Sequence, residues 1–217
     1  MKLIRIVGLC LVAVFAMSAV VAASASAALP EFSGPFPKPF KSKSGAVLIE
    51  TASRVKARCK AGTNVGEVTG PKTDVVTLRL TGCEADGFKC STKGATEGEI
   101  VSSPLSSTLG YINKAKKEVG IALESATGAA AEFTCGPASV VVTGSVIGKI
   151  TPINKKVKAG KPFILKFTQA KGKQKPTKLE GGPVDVPMGS VDGGAPVEAG
   201  VSARVEITLS ELAEIKA

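Results

Sequence analysis

The chain has 217 residues, of which 28 are basic and 18 acidic, so that its formal net charge is +10, and it contains no histidine. The lack of histidine excludes Ser-His-Asp and Cys-His nucleophiles and imidazole general bases, and with them most hydrolase mechanisms. With 24 glycines, 13 prolines and only 4% aromatic residues, the composition favours short strands and turns over packed helices.

Residues 1–27 have the three parts of a secretory signal peptide. Lys2 and Arg5 precede an apolar run from Ile6 to Ala23, and Ala25-Ser26-Ala27 fits the small-x-small cleavage pattern. An uncleaved membrane anchor is the alternative, but the exit is rich in Ala and Ser and no positive flank follows the run. We therefore expect a secreted or cell-surface protein with no further transmembrane segment. Subtracting Lys2 and Arg5 leaves its net charge at +8.

Residues 28–44 are rich in proline and lysine. From Leu29 they read LPEFSGPFPKPFKSKS and show no alternation of apolar and polar positions. This composition predicts an extended leader that spaces the domain from the cleavage site. The alternative is that PFPKPF serves as a polyproline ligand.

Four cysteines remain after the signal peptide, because Cys10 is removed with it. The gaps between Cys59, Cys83, Cys90 and Cys135 hold 23, 6 and 44 residues, which fits neither a zinc site nor a Cys-x-x-Cys redox motif. An even number of cysteines in an oxidising compartment predicts two structural disulfides.

The pairing of these cysteines is left open by the sequence. Cys59 and Cys83 each end a predicted strand, and one short strand between them would bring both to the same end of a sheet. This favours Cys59–Cys83 with Cys90–Cys135. The alternative is a local Cys83–Cys90 loop, with Cys59–Cys135 crossing the fold.

Period-two alternation dominates the rest of the chain, as is typical of half-buried strands. We expect a disulfide-stapled antiparallel β-sandwich or open barrel, or two β lobes, with a disulfide-containing domain over 45–148 and a lysine-rich lobe over 149–217 that packs on the first or is continuous with it. The predicted strands are 53–59, 75–82, 105–112, 119–124, 132–135, 139–147, 162–169 and 201–209.

Three stretches carry a resemblance to known proteins: LTGCEADGFKCSTKGATEGEI from Leu80, EFTCGPASVVVTGSVIG from Glu132 and AKGKQKPTKLEGG from Ala170. Together they resemble an uncharacterised family of small secreted, cysteine-containing, β-rich proteins of soil actinobacteria. The resemblance implies export and a disulfide-stapled β-fold, and it brings no catalytic residues.

Candidate catalytic groups are few, and the sequence predicts neither a cofactor nor a metal site. Ser53 and Lys56 match a Ser-x-x-Lys spacing, but on a strand positions three apart point to opposite faces. A glycosidase without histidine would need two carboxylates, and the candidates are Asp185 with Asp192, or Glu97 with Glu99. Such an enzyme is an alternative reading, although this chain has no tryptophan and one tyrosine for stacking a sugar.

The lysine-rich stretch is the feature that points most directly to a function. From Lys149 it has no acidic residue until Glu180, and without arginine or stacking aromatics it does not resemble a nucleic-acid reader. A solvated strand edge is the plain alternative. We expect a non-enzymatic protein that binds anionic envelope polymers through Lys155, Lys156, Lys158, Lys161, Lys171, Lys173, Lys175 and Lys178.

A further alternative is a protein-binding or inhibitor module. Such a module would present the loop Glu84–Lys89, which lies between Cys83 and Cys90.

Overall fold

The structure, a computed structural model, describes residues 30–217, so the predicted signal peptide lies outside the described residues. Residues 30–217 form 19 strands and no helix. The prediction of an all-β chain is confirmed. In chain order the strands are β1 (Glu31–Phe32), β2 (Lys38–Ser44), β3 (Val47–Thr51), β4 (Lys56–Cys59), β5 (Ala61–Val68), β6 (Thr73–Thr81), β7 (Glu84–Ala85), β8 (Phe88–Ser91), β9 (Glu99–Val101), β10 (Leu105–Asn113), β11 (Glu118–Ser125), β12 (Ala129–Cys135), β13 (Ala138–Thr143), β14 (Val146–Thr151), β15 (Pro162–Ala170), β16 (Lys173–Lys175), β17 (Met188–Val191), β18 (Val197–Leu209) and β19 (Ile215–Lys216).

Eight antiparallel strands close into a barrel, called here the first ring. Around the barrel they follow the order β2, β5, β6, β10, β11, β14, β15 and β18, and β18 pairs with β2 again. Alternate side chains fill the interior: Phe163, Leu165 and Phe167 of β15 are buried, whereas Lys166 and Thr168 between and beyond them are exposed. The predicted antiparallel sheet therefore closes on itself, with no open edge between these eight strands.

A second ring of eight paired strands continues the first ring along β18. Its order is β3, β4, β7, β8, β12, β13, β17 and β18, which pairs with β3 again. Residues 197–202 of β18 pair within the second ring and residues 203–209 within the first. The 13-residue strand β18 is thus common to both rings.

The chain crosses between the rings at short bends. One of them splits the single strand predicted over 139–147 into β13 of the second ring and β14 of the first. The bend requires glycine, because Gly144 has a φ of 77° and a Cβ there would collide with the carbonyl of Val186.

Both disulfides lie in the second ring and confirm the favoured pairing. Cys59–Cys83 joins β4 to the start of β7, and Cys90–Cys135 joins β8 to β12. All four cysteines are buried in a separate core with Phe133 and Ile100. Each disulfide covers a short seam of the ring, because β4 and β7 share one residue pair and β8 and β12 share two.

The structure replaces part of the predicted leader with a strand of the first ring. β2 lies between β5 and β18, with Lys38, Phe40 and Ser42 buried and Lys41 and Lys43 exposed. The sequence of β2 shows no alternation of apolar and polar residues because lysine and serine occupy inward positions. The Lys38 stem is buried, and its Nζ reaches the Glu211 carboxylate (3.5 Å) and the Leu212 carbonyl (3.4 Å).

The predicted regions 45–148 and 149–217 are continuous with each other. Strand β14 runs across their boundary, and both rings take strands from both regions. The lysine-rich part is therefore one wall of the barrel.

Candidate functional site

A row of basic side chains crosses three neighbouring strands on the outside of the first ring. Lys149 of β14 lies directly opposite Lys166 of β15, and Lys166 lies directly opposite Arg204 of β18. Residues that face each other in antiparallel strands project from the same side of the sheet, with Cβ atoms about 4.5–5.5 Å apart. All three side chains are exposed, so three positive charges stand side by side on one surface.

Strand β16 extends this row along β15. Lys173 pairs with Ala170, and Lys175 pairs with Thr168. Thr168 and Ala170 lie two and four positions from Lys166 on β15 and face outward as it does, so Lys173 and Lys175 also face outward. We call the surface formed by Lys149, Lys166, Lys173, Lys175 and Arg204 the basic face.

Gln174 fixes the orientation of β16. It is 1% exposed and points inward between Lys173 and Lys175. Its Nε2 donates to the carbonyl of Thr168 (2.9 Å), and its Oε1 accepts from the backbone nitrogen of Val201 (2.7 Å). With Gln174 held inside, its two lysine neighbours must face solvent.

Two members of the basic face are paired with acids. Lys149 Nζ lies 2.7 Å from Glu118, and this hydrogen bond holds the pKa of the Glu118 carboxyl below its ordinary value. Lys173 Nζ lies 3.8 Å from Glu198. Lys166, Lys175 and Arg204 form no ion pair within residues 30–217, so their charge is available to an external anion.

The eight lysines predicted to bind a polyanion are all exposed, but they do not form one cluster. Four of them (Lys155, Lys156, Lys158 and Lys161) lie in the connection between β14 and β15, and the other four (Lys171, Lys173, Lys175 and Lys178) lie in or after the β15–β16 hairpin. The two groups flank opposite ends of β15, whose nine residues span about 30 Å. Only Lys173 and Lys175 belong to the basic face.

Sequence reasoning missed Arg204 and left Lys149 and Lys166 out of the predicted site. Alternation in the predicted strand 201–209 already placed Arg204 outward, but the sequence carries no signal that β15 and β18 are neighbours. The register between these strands is what brings Arg204 beside Lys166.

The Ser53–Lys56 pair has other partners in the structure. The Ser53 hydroxyl lies 2.9 Å from that of Thr51, and Lys56 Nζ lies 3.6 Å from Glu50. Glu50 also accepts from Gln169, and this hydrogen bond is the main cause of its lowered pKa.

The predicted carboxylate pairs are divided between separate structural contacts. Asp192 accepts from the backbone nitrogen of Ser139 (2.7 Å), whereas Asp185 is exposed in the connection before β17. Glu99 is buried and accepts from Arg79 (2.6 Å), which is the main cause of its lowered pKa, while Glu97 is exposed before β9 begins.

The predicted loop Glu84–Lys89 is a tight hairpin of β7 and β8. Asp86 and Gly87 both have positive φ, as a two-residue type I′ turn requires. Phe88 beside the turn is 53% exposed.

Within residues 30–217 no group of three or more Cys, Asp or Glu side chains could hold a metal ion, and no helix there has the length and apolarity to cross a membrane. No model of a protein family, no curated protein and no solved structure matches this chain.

Proposed function

We propose that this protein is exported, catalyses no reaction, and uses its basic face to bind anionic polymers of the cell envelope. The two disulfides support an oxidising environment, where such bonds form and persist. Teichoic acids and acidic polysaccharides carry repeated phosphate or carboxylate groups, which suit a row of exposed cations.

The observation that carries the proposal is the register of Lys149, Lys166 and Arg204. Like charges directly opposite each other destabilise a sheet by a few tenths of a kcal/mol. A solvated strand edge would be served equally well by alternating charges. Lys166 and Arg204, which have no acidic partner within residues 30–217, therefore repel each other slightly in the folded state, and this arrangement favours an anionic ligand.

The test measures retention of the protein on isolated cell envelopes and on purified teichoic acid at rising salt. The triple variant Lys149→Gln, Lys166→Gln and Arg204→Gln should lose roughly 100-fold in affinity, because each cation near an anionic surface contributes about 1 kcal/mol. Retention of the wild type should also fall steeply with salt.

The matched control removes the same charge elsewhere. The variant Lys155→Gln, Lys156→Gln and Lys158→Gln alters lysines in the connection between β14 and β15, outside the basic face. It should bind nearly as the wild type does. Equal losses in both triple variants, or retention that ignores salt, would contradict the proposed surface.

A second candidate function is favoured by Phe88. This aromatic side chain is exposed on a hairpin whose two ends are tied down by disulfides, and rigid exposed aromatics are common anchors at protein interfaces. Capture of one defined partner from culture medium, lost in Phe88→Ala and kept in Lys89→Ala, would favour this candidate.

A further inference from the structure

An internal cavity of about 150 Å³ runs through the barrel from the first ring into the second. Its wall in the first ring includes Leu165 and Val205, and its wall in the second includes Ile49 and Ala199. The cavity is separate from the basic face, which lies on the outside of the same strands.

Small residues at inward positions leave this space open. Ser42 and Ser44 of β2 and Ala199 and Ala203 of β18 line the cavity. The interior of an eight-stranded barrel is just wide enough to be filled by side chains or to hold one small ligand. Because these positions carry only small side chains, the interior is left partly empty.

Most of the polar side chains in the wall have hydrogen-bond partners within the protein. Asn64 Nδ2 donates to Ser42 Oγ (2.8 Å), Asn64 Oδ1 accepts from the backbone nitrogen of Arg79 (3.1 Å), and Ser102 Oγ accepts from the backbone of Leu78 (2.9 Å). Within residues 30–217 every buried polar side-chain atom has a hydrogen-bond partner.

Asp74, also in the wall, accepts a short hydrogen bond from Ser107. A buried water needs two to four polar partners. Apart from these polar groups and the Ser44 hydroxyl, the wall consists of aliphatic and aromatic residues, so the cavity presents a mainly apolar surface to its contents.

We propose that the barrel interior binds one small, uncharged, apolar molecule of about the size of benzene. A dry cavity of this volume lined by aliphatic side chains takes up such molecules, because the ligand regains the dispersion contacts that the empty wall lacks. The one ionisable group of the wall, Asp74, would repel an anionic ligand when it is charged, and the mainly apolar wall offers few partners to a strongly polar one. The inference does not depend on what the basic face binds.

The experiment follows the melting temperature and NMR spectrum of the full mature chain with benzene as the probe and benzoate as its charged counterpart. Benzene should raise the melting temperature saturably, since a ligand that binds only the folded state stabilises it. NMR shifts should be confined to residues of the cavity wall. Benzoate at equal concentration should do neither.

Two matched substitutions locate the binding. Val201 lines the cavity, whereas Val65 is 63% exposed on the outside of β5. Val201→Phe places a ring in the cavity and should abolish the benzene shift, while Val65→Phe should leave it unchanged. An absent shift in the wild type, or equal shifts in both variants, would overturn the proposal.

A third variant covers the case in which Val201→Phe fails to fold. Leu80→Ala enlarges the cavity at its wall and should admit n-butylbenzene, which the wild type should bind at least tenfold more weakly. Equal binding of n-butylbenzene by both proteins would also count against an internal site.

Discussion

The backbone nitrogen of Cys90 donates a hydrogen bond to the carbonyl oxygen of Cys83 (3.0 Å), so the two disulfides of the second ring lie side by side. Each disulfide covers a seam that backbone pairing alone holds with only one or two residue pairs. At these two seams the second ring depends on covalent bonds, whereas every seam of the first ring has three to eight residue pairs.

Replacing both cysteines of one disulfide should open the second ring before the first. From the lengths of the closed loops, 24 and 45 residues apart, the loss should be about 3.5 kcal/mol for Cys59→Ala with Cys83→Ala and about 4 kcal/mol for Cys90→Ala with Cys135→Ala. Urea unfolding measures the loss, and hydrogen exchange should show reduced protection in β7, β8 and β12. Equal loss of protection in β10 and β15 would contradict this picture.

Asp74 should make the protein less stable as the pH rises. Burial raises the pKa of this carboxyl to about 6, above its ordinary value of 3.8, so the folded state holds the proton more tightly than the unfolded state. The resulting stabilisation is complete below pH 3.8 and is lost as the pH rises through about 6, a change of about 3 kcal/mol. Asp74→Asn should remove this dependence and be the more stable protein at pH 8.

The measurement is the difference in unfolding free energy between wild type and Asp74→Asn from pH 4 to pH 8. Taking the difference cancels the carboxylates with lowered pKa values, such as Glu99 and Glu118, whose contributions decline toward acid pH instead. A difference that stays constant with pH would show that Asp74 titrates normally.

Gln174→Ala should destabilise the protein by about 2–4 kcal/mol. It leaves the backbone nitrogen of Val201 without its acceptor and the Thr168 carbonyl without this donor, and each unsatisfied buried group costs about 1–3 kcal/mol. Chemical denaturation measures the loss. The exposed neighbour Lys175→Ala is the control and should change stability by less than about 0.5 kcal/mol.

Lys166→Gln should stabilise the fold slightly while weakening binding to anionic polymers. It removes a charge that faces Lys149 on one side and Arg204 on the other, a gain of a few tenths of a kcal/mol at low salt. The gain should vanish in 0.5 M NaCl, where charges are screened over about 4–5 Å. Stability measured at both salt concentrations, beside teichoic acid binding, separates the two effects.

The local alternation of apolar and polar residues is sufficient to predict many of the strands. The predicted hairpin of 105–112 and 119–124 is present as β10 and β11, and the predicted strand 162–169 is present as β15. The favoured disulfide pairing is present as well, although the sequence had left the alternative open and Cys83 lies between β6 and β7 rather than at a strand end. Each of these inferences needed only alternation and turn residues within a short stretch.

The sequence alone does not show which distant strands pair or in what register. Closure of the first ring depends on pairings such as β6 with β10 and β18 with β2, for which no local signal exists. β2 was missed because Lys38 and Ser42 occupy inward positions usually held by apolar residues. The basic face needed the same register, and the cavity is visible only when small residues such as Ser44 and Ala203 are found to face one interior.

The sharing of β18 makes the folding of the two rings interdependent. Its residues 197–209 supply pairing partners to β2, β3, β15 and β17 at once, so neither cylinder can complete its circumference until this late segment has been synthesised. A proline inserted near Ser202 would test this interdependence, because it should disrupt the strand pairing of both rings and not only that of β18 near the insertion.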